Sequence, residues 1–210
     1  VDREPITKAT LRAAIVAKRR AIPPERRRAD DEALRGHLVT AVSTGATVCA
    51  YVPVGTEPGS LETLDALVAA GVRVLLPVAR EESGHPQPLS WGDYRAGTLV
   101  DARFGLREPA APWLPAEAIA SASIVVIPAL AVDYTGARLG RGAGFYDRSL
   151  VLAGPAAMLV AVVRDDELVD QLPSEEHDVP MTHVLTPTHG LVALGGPRPL
   201  ESESDDATRR

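Results

Sequence analysis

Four β-branched residues in a row, Ile124-Val125-Val126-Ile127, are followed within twenty residues by glycines at 136, 140, 142 and 144. A strand with one wet face alternates apolar and polar side chains. A strand without alternation must be covered on both faces, as in a parallel sheet between two helix layers. The run therefore predicts a central parallel strand over 123–131, and a chain built around it is an α/β protein.

The flanking pattern agrees. Residues 7–20 place Leu11, Ala14 and Ile15 on one helical face, and Pro23-Pro24 ends that helix. A second helix runs to about Thr44, carried by Leu34, Leu38 and Val42, and Gly45 closes it. Residues 47–53 read as a strand, 60–70 as a helix with Ser60 as its N-cap, and 72–78 as a second buried strand. Residues 89–94 read as a short edge strand, 158–163 as a buried strand, and 182–185 as a short last one. The Pro- and Ala-rich stretch 105–117 reads as a long surface segment, of the kind that is often functional. Strand–helix–strand alternation predicts a three-layer α/β/α architecture with a mostly parallel, Rossmann-like sheet, as a single domain over 1–195. Residues 196–210 lack apolar anchors and read as a disordered tail.

Between the central strand and the next helix lies Asp133-Tyr134-Thr135-Gly136-Ala137-Arg138-Leu139-Gly140-Arg141-Gly142-Ala143-Gly144-Phe145-Tyr146-Asp147-Arg148. Ligands of parallel α/β sheets sit beyond the carboxyl ends of the strands, so the turn is in the right place for one. Glycines let backbone approach a ligand closely, and free N–H groups at a helix start favour an anion. Arg138 and Arg141 add positive charge. No Gly-Lys-Ser/Thr follows, so this is not a Walker A loop, and the third glycine of a dinucleotide fingerprint would fall at Phe145. The glycines alone suit a flexible hairpin or helix cap equally well. Together with Arg138, Arg141, Tyr146 and Asp147 they predict phosphate binding. Asp133-x-x-Gly136 suits a β-turn.

The net charge of −6 argues against long-range attraction of anions, so a phosphate ligand needs a local cation cluster. Residues 1–28 hold nine Lys and Arg against three acids, whereas 165–178 hold seven acids and no base. The basic segment is short and has no interleaved aromatics, which argues against a nucleic-acid partner. No apolar run reaches the roughly 18 residues of a membrane span, and the N-terminal residues do not form the apolar core of a secretory signal. A single cysteine, Cys49, permits no internal disulfide and reads as a small core residue. These features fit a cytoplasmic protein, and a monomer is expected.

Arg138-Leu139-Gly140-x-Gly142-x-Gly144-Phe145-Tyr146-Asp147-Arg148 resembles the signature of the 5-formyltetrahydrofolate cyclo-ligases (methenyltetrahydrofolate synthetases). Further pieces are similar, in order: Lys8-x-x-Leu11-Arg12, Tyr51 through Glu57-x-x-Ser60, Gly105-Leu106-x-Glu108-Pro109, and Glu176-His177-Asp178. Three positions depart from the family pattern. Ala143 stands for a usual glycine, Phe145 for the first of a Tyr-Tyr pair, and Ser60 for a common threonine. If position 143 needs positive φ, alanine there costs about 1 kcal/mol.

The resemblance implies an ATP-driven cyclisation with Mg2+. The formyl oxygen of 5-formyltetrahydrofolate attacks the γ-phosphorus of ATP. N10 then displaces phosphate to give 5,10-methenyltetrahydrofolate, ADP and phosphate. It also implies site residues. Lys8 and Arg12, four apart on one helix face, would reach the phosphates, with 138–146 as the phosphate cradle. Asp147 and Asp178 would hold magnesium. Tyr51, Glu57 and Trp113 would contact the folate, and Tyr146 and Arg141 would act at the reacting centre. From the residues alone Lys8 and Arg12 also suit a solvated face, and His177 and His183 read as structural or solvated. Sugar-phosphate or CoA chemistry, and nucleotide binding without turnover, stay open as alternatives. They predict no phosphate release and no methenyl product, respectively.

Overall fold

The structure is a computed structural model and describes residues 7–173 and 178–195. The expectations for Glu176, His177 and the tail 196–210 lie outside the described residues.

Seven strands form the main sheet: β1 (Thr47–Cys49), β2 (Arg73–Val78), β3 (Ser90–Asp93), β4 (Ile124–Pro128), β5 (Met158–Val162), β6 (His183–Thr186) and β7 (Gly190–Ala193). Their order is β7-β6-β5-β4-β1-β2-β3. The inner five are parallel, and β3 and β7 close the edges antiparallel. The final edge strand β7 carries little β-branched signal and is absent from the sequence reading.

Alternation in each strand feeds two cores. Cys49, Leu75, Val125, Ile127, Ala161 and Val184 point to one face. Val48, Val74, Leu76, Ile124, Val126, Val160, Val162 and Leu185 point to the other. Helices α2 (Pro24–Ala41) and α3 (Leu61–Ala69) cover the second face through Leu34, Leu38, Leu64 and Leu67. On the first face lie the 3-10 turn Ala116–Ser121 and the short helix over 145–150. Both faces are therefore dry, as the unbroken run 124–127 requires. Helix α1 (Lys8–Ala21) begins at Thr7, whose side chain accepts the Thr10 N–H, and packs Leu11, Ile15 and Val16 on a third, smaller cluster.

Four expectations need correction. The second helix ends at Ala41 rather than near Thr44, and the first strand ends at Cys49 rather than 53. The central strand does not run unbroken to 131. It stops at Pro128, and residues Ala131–Asp133 join a separate three-stranded sheet with Arg138–Leu139 and Leu168–Val169. Apolar composition continues past the break because this small sheet is also buried, so periodicity could not see it. Nor is 105–117 a surface segment throughout. Arg107–Pro109 is a strand paired with Leu99–Asp101, and Glu108 is 4% exposed. Its packing is tight: a Cβ on Gly92 would come within 2.6 Å of Pro109.

Candidate active site

The strand order reverses between β1 and β4: β2 lies on one side of this pair and β5 on the other. Loops leaving the two strands diverge there and open a crevice at the carboxyl edge. A cavity of about 610 Å³ occupies it. Its walls come from α1, the loop after β1, the buried strand at 107–109, and residues 138–147.

The glycine turn does not follow β4 directly. A tight hairpin intervenes. Asp133, 1% exposed, accepts the N–H groups of Thr135 (2.9 Å) and Ala137 (3.0 Å) and the Thr135 hydroxyl through Oδ1. Its Oδ2 accepts Leu172 N–H at 2.8 Å. Gly136 turns the chain at φ +93°, where a Cβ would lie 2.3 Å from the Met181 carbonyl oxygen. Asp133 is thus the turn former that Asp-x-x-Gly suggests. The hairpin's return arm delivers Arg138 and Leu139 to the crevice, and the loop 140–144 then opens α4 (Phe145–Leu150). Gly142 and Gly144 have φ of +93° and +78°. Ala143 is not among the positive-φ residues, so the alanine carries no left-handed strain. Helix α4 has only six residues, so its dipole is small, and neighbouring cations must supply most of the positive field.

Those cations converge. The Arg12 Nε donates to the Gly140 carbonyl at 2.8 Å and lies over Gly142, where a Cβ would sit 3.5 Å from the guanidinium carbon. Lys8, one turn earlier on the same face, lies 3.7 Å from Asp178. Arg138, its side chain 6% exposed, pairs with Asp147 and donates to the Val179 carbonyl at 2.8 Å. Burial lowers the Arg138 pKa, and the nearby charges of Asp147 and Asp178 oppose that shift. Arg141 crosses the cavity to Glu57 at 2.9 Å and reaches the Val54 carbonyl at 3.2 Å.

On the facing wall, Glu57 is almost buried. Its Oε2 accepts the Val54 N–H at 2.9 Å. Burial raises its pKa above the ordinary carboxylate value, although the Val54 bond and Arg141 pull it down. The Tyr51 hydroxyl donates to the Pro58 carbonyl and ties down the same loop. Burial pushes the Tyr51 and Tyr146 phenols up, so both are neutral donors. Burial likewise drives Cys49 up to about 12, which leaves it an inert core thiol.

The structure thus brings together Lys8, Arg12, Tyr51, Glu57, residues 138–147 and Asp178 around one cavity. Leu139 contributes mainly packing, at 2% exposure. Trp113 is not brought to the cavity. It lies under the Arg80 guanidinium at 4.1 Å and donates to the Pro109 carbonyl. Arg148 turns back to the Gly144 carbonyl at 3.0 Å, and His183 contacts Thr182. Two buried wall residues were given no role by the sequence, although Glu108 stands in a quoted motif. Glu108 accepts Ala79 N–H at 2.7 Å and Arg80 at 2.9 Å. Arg19, 1% exposed, holds both oxygens of Glu167 and the Ala129 carbonyl. The positions of Lys8, Arg12 and Arg19 in α1, at spacings of four and seven, were the available signal for Arg19.

Comparison with known proteins follows the same line. The family model described as the 5-formyltetrahydrofolate cyclo-ligase family matches residues 5–187. The chain belongs to this family. Cyclo-ligase relatives include a 5-formyltetrahydrofolate cyclo-ligase of Mycolicibacterium smegmatis, 60% identical over 191 residues, covering 90% of this chain and 98% of that one. The cyclo-ligase of Escherichia coli K12 is 30% identical over 182 residues, covering 81% and 95%. Among solved structures, the 5,10-methenyltetrahydrofolate synthetase of Aquifex aeolicus superposes with a TM-score of 0.74 at 25% identity, over 95% of this chain and 98% of its own. Of the cyclo-ligase motif positions, Lys8, Arg12, Tyr51, Glu57, Leu106, Glu108, residues 138–147 and Asp178 line this cavity, whereas Leu11, Ser60, Gly105, Pro109 and Arg148 do not.

Proposed function

We propose that the chain closes 5-formyltetrahydrofolate to 5,10-methenyltetrahydrofolate at the cost of ATP. The formyl oxygen attacks the γ-phosphorus, ADP leaves, and the formyl carbon becomes an imidate-like phosphate. N10 attacks that carbon, its proton goes to solvent, and the C–O bond breaks with its electrons on phosphate. An amide-like formyl oxygen is a poor leaving group, which is why phosphorylation is needed.

The observation that carries this reading is one cavity with cations on one wall and a nearly buried glutamate on the other. Phosphoryl transfer asks for positioning and charge neutralisation. Lys8, Arg12 and Arg138 supply cations beside the backbone N–H groups of 140–144. Glu57 holds the pterin side of the folate by accepting its N–H groups. Tyr146 donates its phenolic proton to the formyl–phosphate oxygen, and Arg141, released from Glu57, follows the moving phosphoryl group. The described residues hold no group of three or more His, Cys, Asp or Glu that would cage a metal. Asp147 and Asp178 both act on Arg138 from the same cavity. Two carboxylates suit an ion that keeps phosphate oxygens and water as its other ligands, the habit of Mg2+. Bound there, magnesium would neutralise charge on the phosphates.

The test is spectroscopic: methenyl product should form from 5-formyltetrahydrofolate only when ATP and Mg2+ are both present. Product without ATP overturns the mechanism. The same reading takes the protein as a cytoplasmic monomer without nucleic-acid or membrane partners, and light scattering checks its oligomeric state. Among the described residues no helix is long and apolar enough to cross a membrane.

A further inference from the structure

Arg19 lines the cavity but has no task in the proposed reaction. Its side chain is 1% exposed. A guanidinium carries five N–H groups on three nitrogens. Two of the three are committed here. Nε donates to Glu167 Oε1 at 2.6 Å, and Nη2 donates to Glu167 Oε2 at 2.7 Å and to the Ala129 carbonyl at 2.6 Å. The third nitrogen, Nη1, meets no acceptor among the described residues. Buried donors in native proteins are nearly always satisfied, so an idle N–H pair at a cavity wall calls for an acceptor that enters the cavity.

Position says which end of the cavity that acceptor occupies. Arg12 holds the Gly140 carbonyl in the glycine turn. Arg19 follows it by two turns of α1 on the same side, about 10.5 Å further along the axis. That carries it past the phosphate cradle to the strand ends. Ala129, which it holds, comes directly after β4. Burial pushes Tyr51 and Glu57 up, and the Arg19 charge is near enough to both to oppose that rise. Arg19 therefore belongs to the folate end. The pyrimidine edge of a pterin presents three groups in a row: the 2-amino group, N3–H and the C4 carbonyl oxygen. The first two are donors and suit the Glu57 carboxylate. The third is an acceptor, which a carboxylate cannot hold and a guanidinium can.

We propose that Arg19 is a specificity residue: it donates through Nη1 to the C4 carbonyl oxygen of the pterin, while Glu57 accepts from N3–H and the 2-amino group. The proposal rests on the folate reading of the cavity. Glu167 and the Ala129 carbonyl fix the guanidinium in advance, so the contact needs no side-chain ordering when folate binds. A 4-amino pterin puts a donor against Arg19 and is disfavoured.

Equilibrium binding is measured by calorimetry, without nucleotide, for 5-formyltetrahydrofolate and its 4-thioxo analogue. The analogue keeps N3–H and the 2-amino group and replaces the C4 oxygen by sulfur, a weaker acceptor. Wild type should prefer the oxygen compound at least about tenfold, the loss expected when a charge-assisted bond is removed. Arg19→Lys keeps a cation for Glu167 and removes Nη1. The double variant R19M/E167Q removes both charges of the pair, a change that buried pairs often tolerate, and keeps an acceptor for the Arg164 N–H that Glu167 holds at 2.7 Å. In both variants the preference should fall below about threefold. A purely structural Arg19 would weaken both ligands alike and leave their ratio unchanged. A wild-type ratio retained in the variants, or a wild-type preference below about threefold, overturns the contact. Failure of wild type to bind either ligand overturns the folate reading itself. Because binding is read without turnover, absence of methenyl product would sink the catalytic reading separately.

Discussion

Arg141 of the glycine turn and Glu57 of the loop after β1 meet across the cavity at 2.9 Å. The turn and the loop come from strands adjacent in the sheet but distant in the chain. The pair spans the space between the two proposed substrates, and in the proposed reaction each member would exchange its partner when they bind. The same holds for Arg138 with Asp147 and Lys8 with Asp178. In the proposed reaction phosphate would take the cations as metal would take the carboxylates, so neither ligand alone would leave the site neutral.

Lys8→Ala removes one of the cations. A charge-assisted contact is worth about 1.5–3 kcal/mol, so kcat/KM for ATP should fall at least about tenfold. Stability in urea should change by no more than about 0.5 kcal/mol, since the side chain is partly exposed. An unchanged ATP dependence would return Lys8 to an ordinary solvated face.

Tyr146→Phe deletes a neutral donor and little volume. If the phenol stabilises the formyl–phosphate oxygen, kcat should drop about tenfold or more while the folate KM moves little, the pattern of an interaction made in the transition state. Full kcat in the variant would exclude the role.

Glu57 gives a prediction with opposite signs for stability and function. Burial raises its folded pKa above its unfolded value. Between the two values the native chain holds a proton that the unfolded chain has lost. Stability therefore falls as pH rises through that window, and the penalty is fully present above the raised pKa. Glu57→Gln should be as stable as wild type or more so at pH 7 by thermal melting. At the low end of the window the difference should narrow. Folate binding should weaken at least about tenfold, the loss expected for a charged acceptor. A variant that is less stable at pH 7 would show that the Arg141 pair outweighs desolvation.

Glu167→Ala leaves Arg19 buried without its carboxylate. Breaking such a pair typically costs about 3–5 kcal/mol. Because Arg19 also holds the Ala129 carbonyl, α1 should loosen and ATP affinity should fall although Glu167 touches no ligand. Denaturant unfolding and amide exchange along 8–21 check this.

Gly136→Ala places a methyl group where the Met181 carbonyl already sits, at a positive φ. A loss of at least about 2 kcal/mol is expected from backbone strain of this kind, before the overlap is counted. The mutant chain should also mis-set Arg138, two residues on, and lose ATP affinity. A melting temperature equal to wild type would contradict the turn geometry.

Local sequence determined much of this protein. The run 124–127 has no polar face, so it had to become a covered strand. Pro23-Pro24 had to separate two helices, and Asp133-x-x-Gly136 had to turn. The ordered motifs brought the family and most of the cavity wall within reach. Tertiary structure decided the rest, because its interactions join residues with no local relation. Strand order placed the loops after β1 and β4 at one crevice and so let Arg141 find Glu57. Charge on a helix face looks the same whether it meets water or a carboxylate, so the sequence could not tell that Arg19 is buried on Glu167, 148 positions away. Nor could composition show that the Pro-rich stretch holding Glu108 folds inward while Trp113 stays out. Burial is a property of what arrives from elsewhere in the chain, and that is set only when the sheet is assembled.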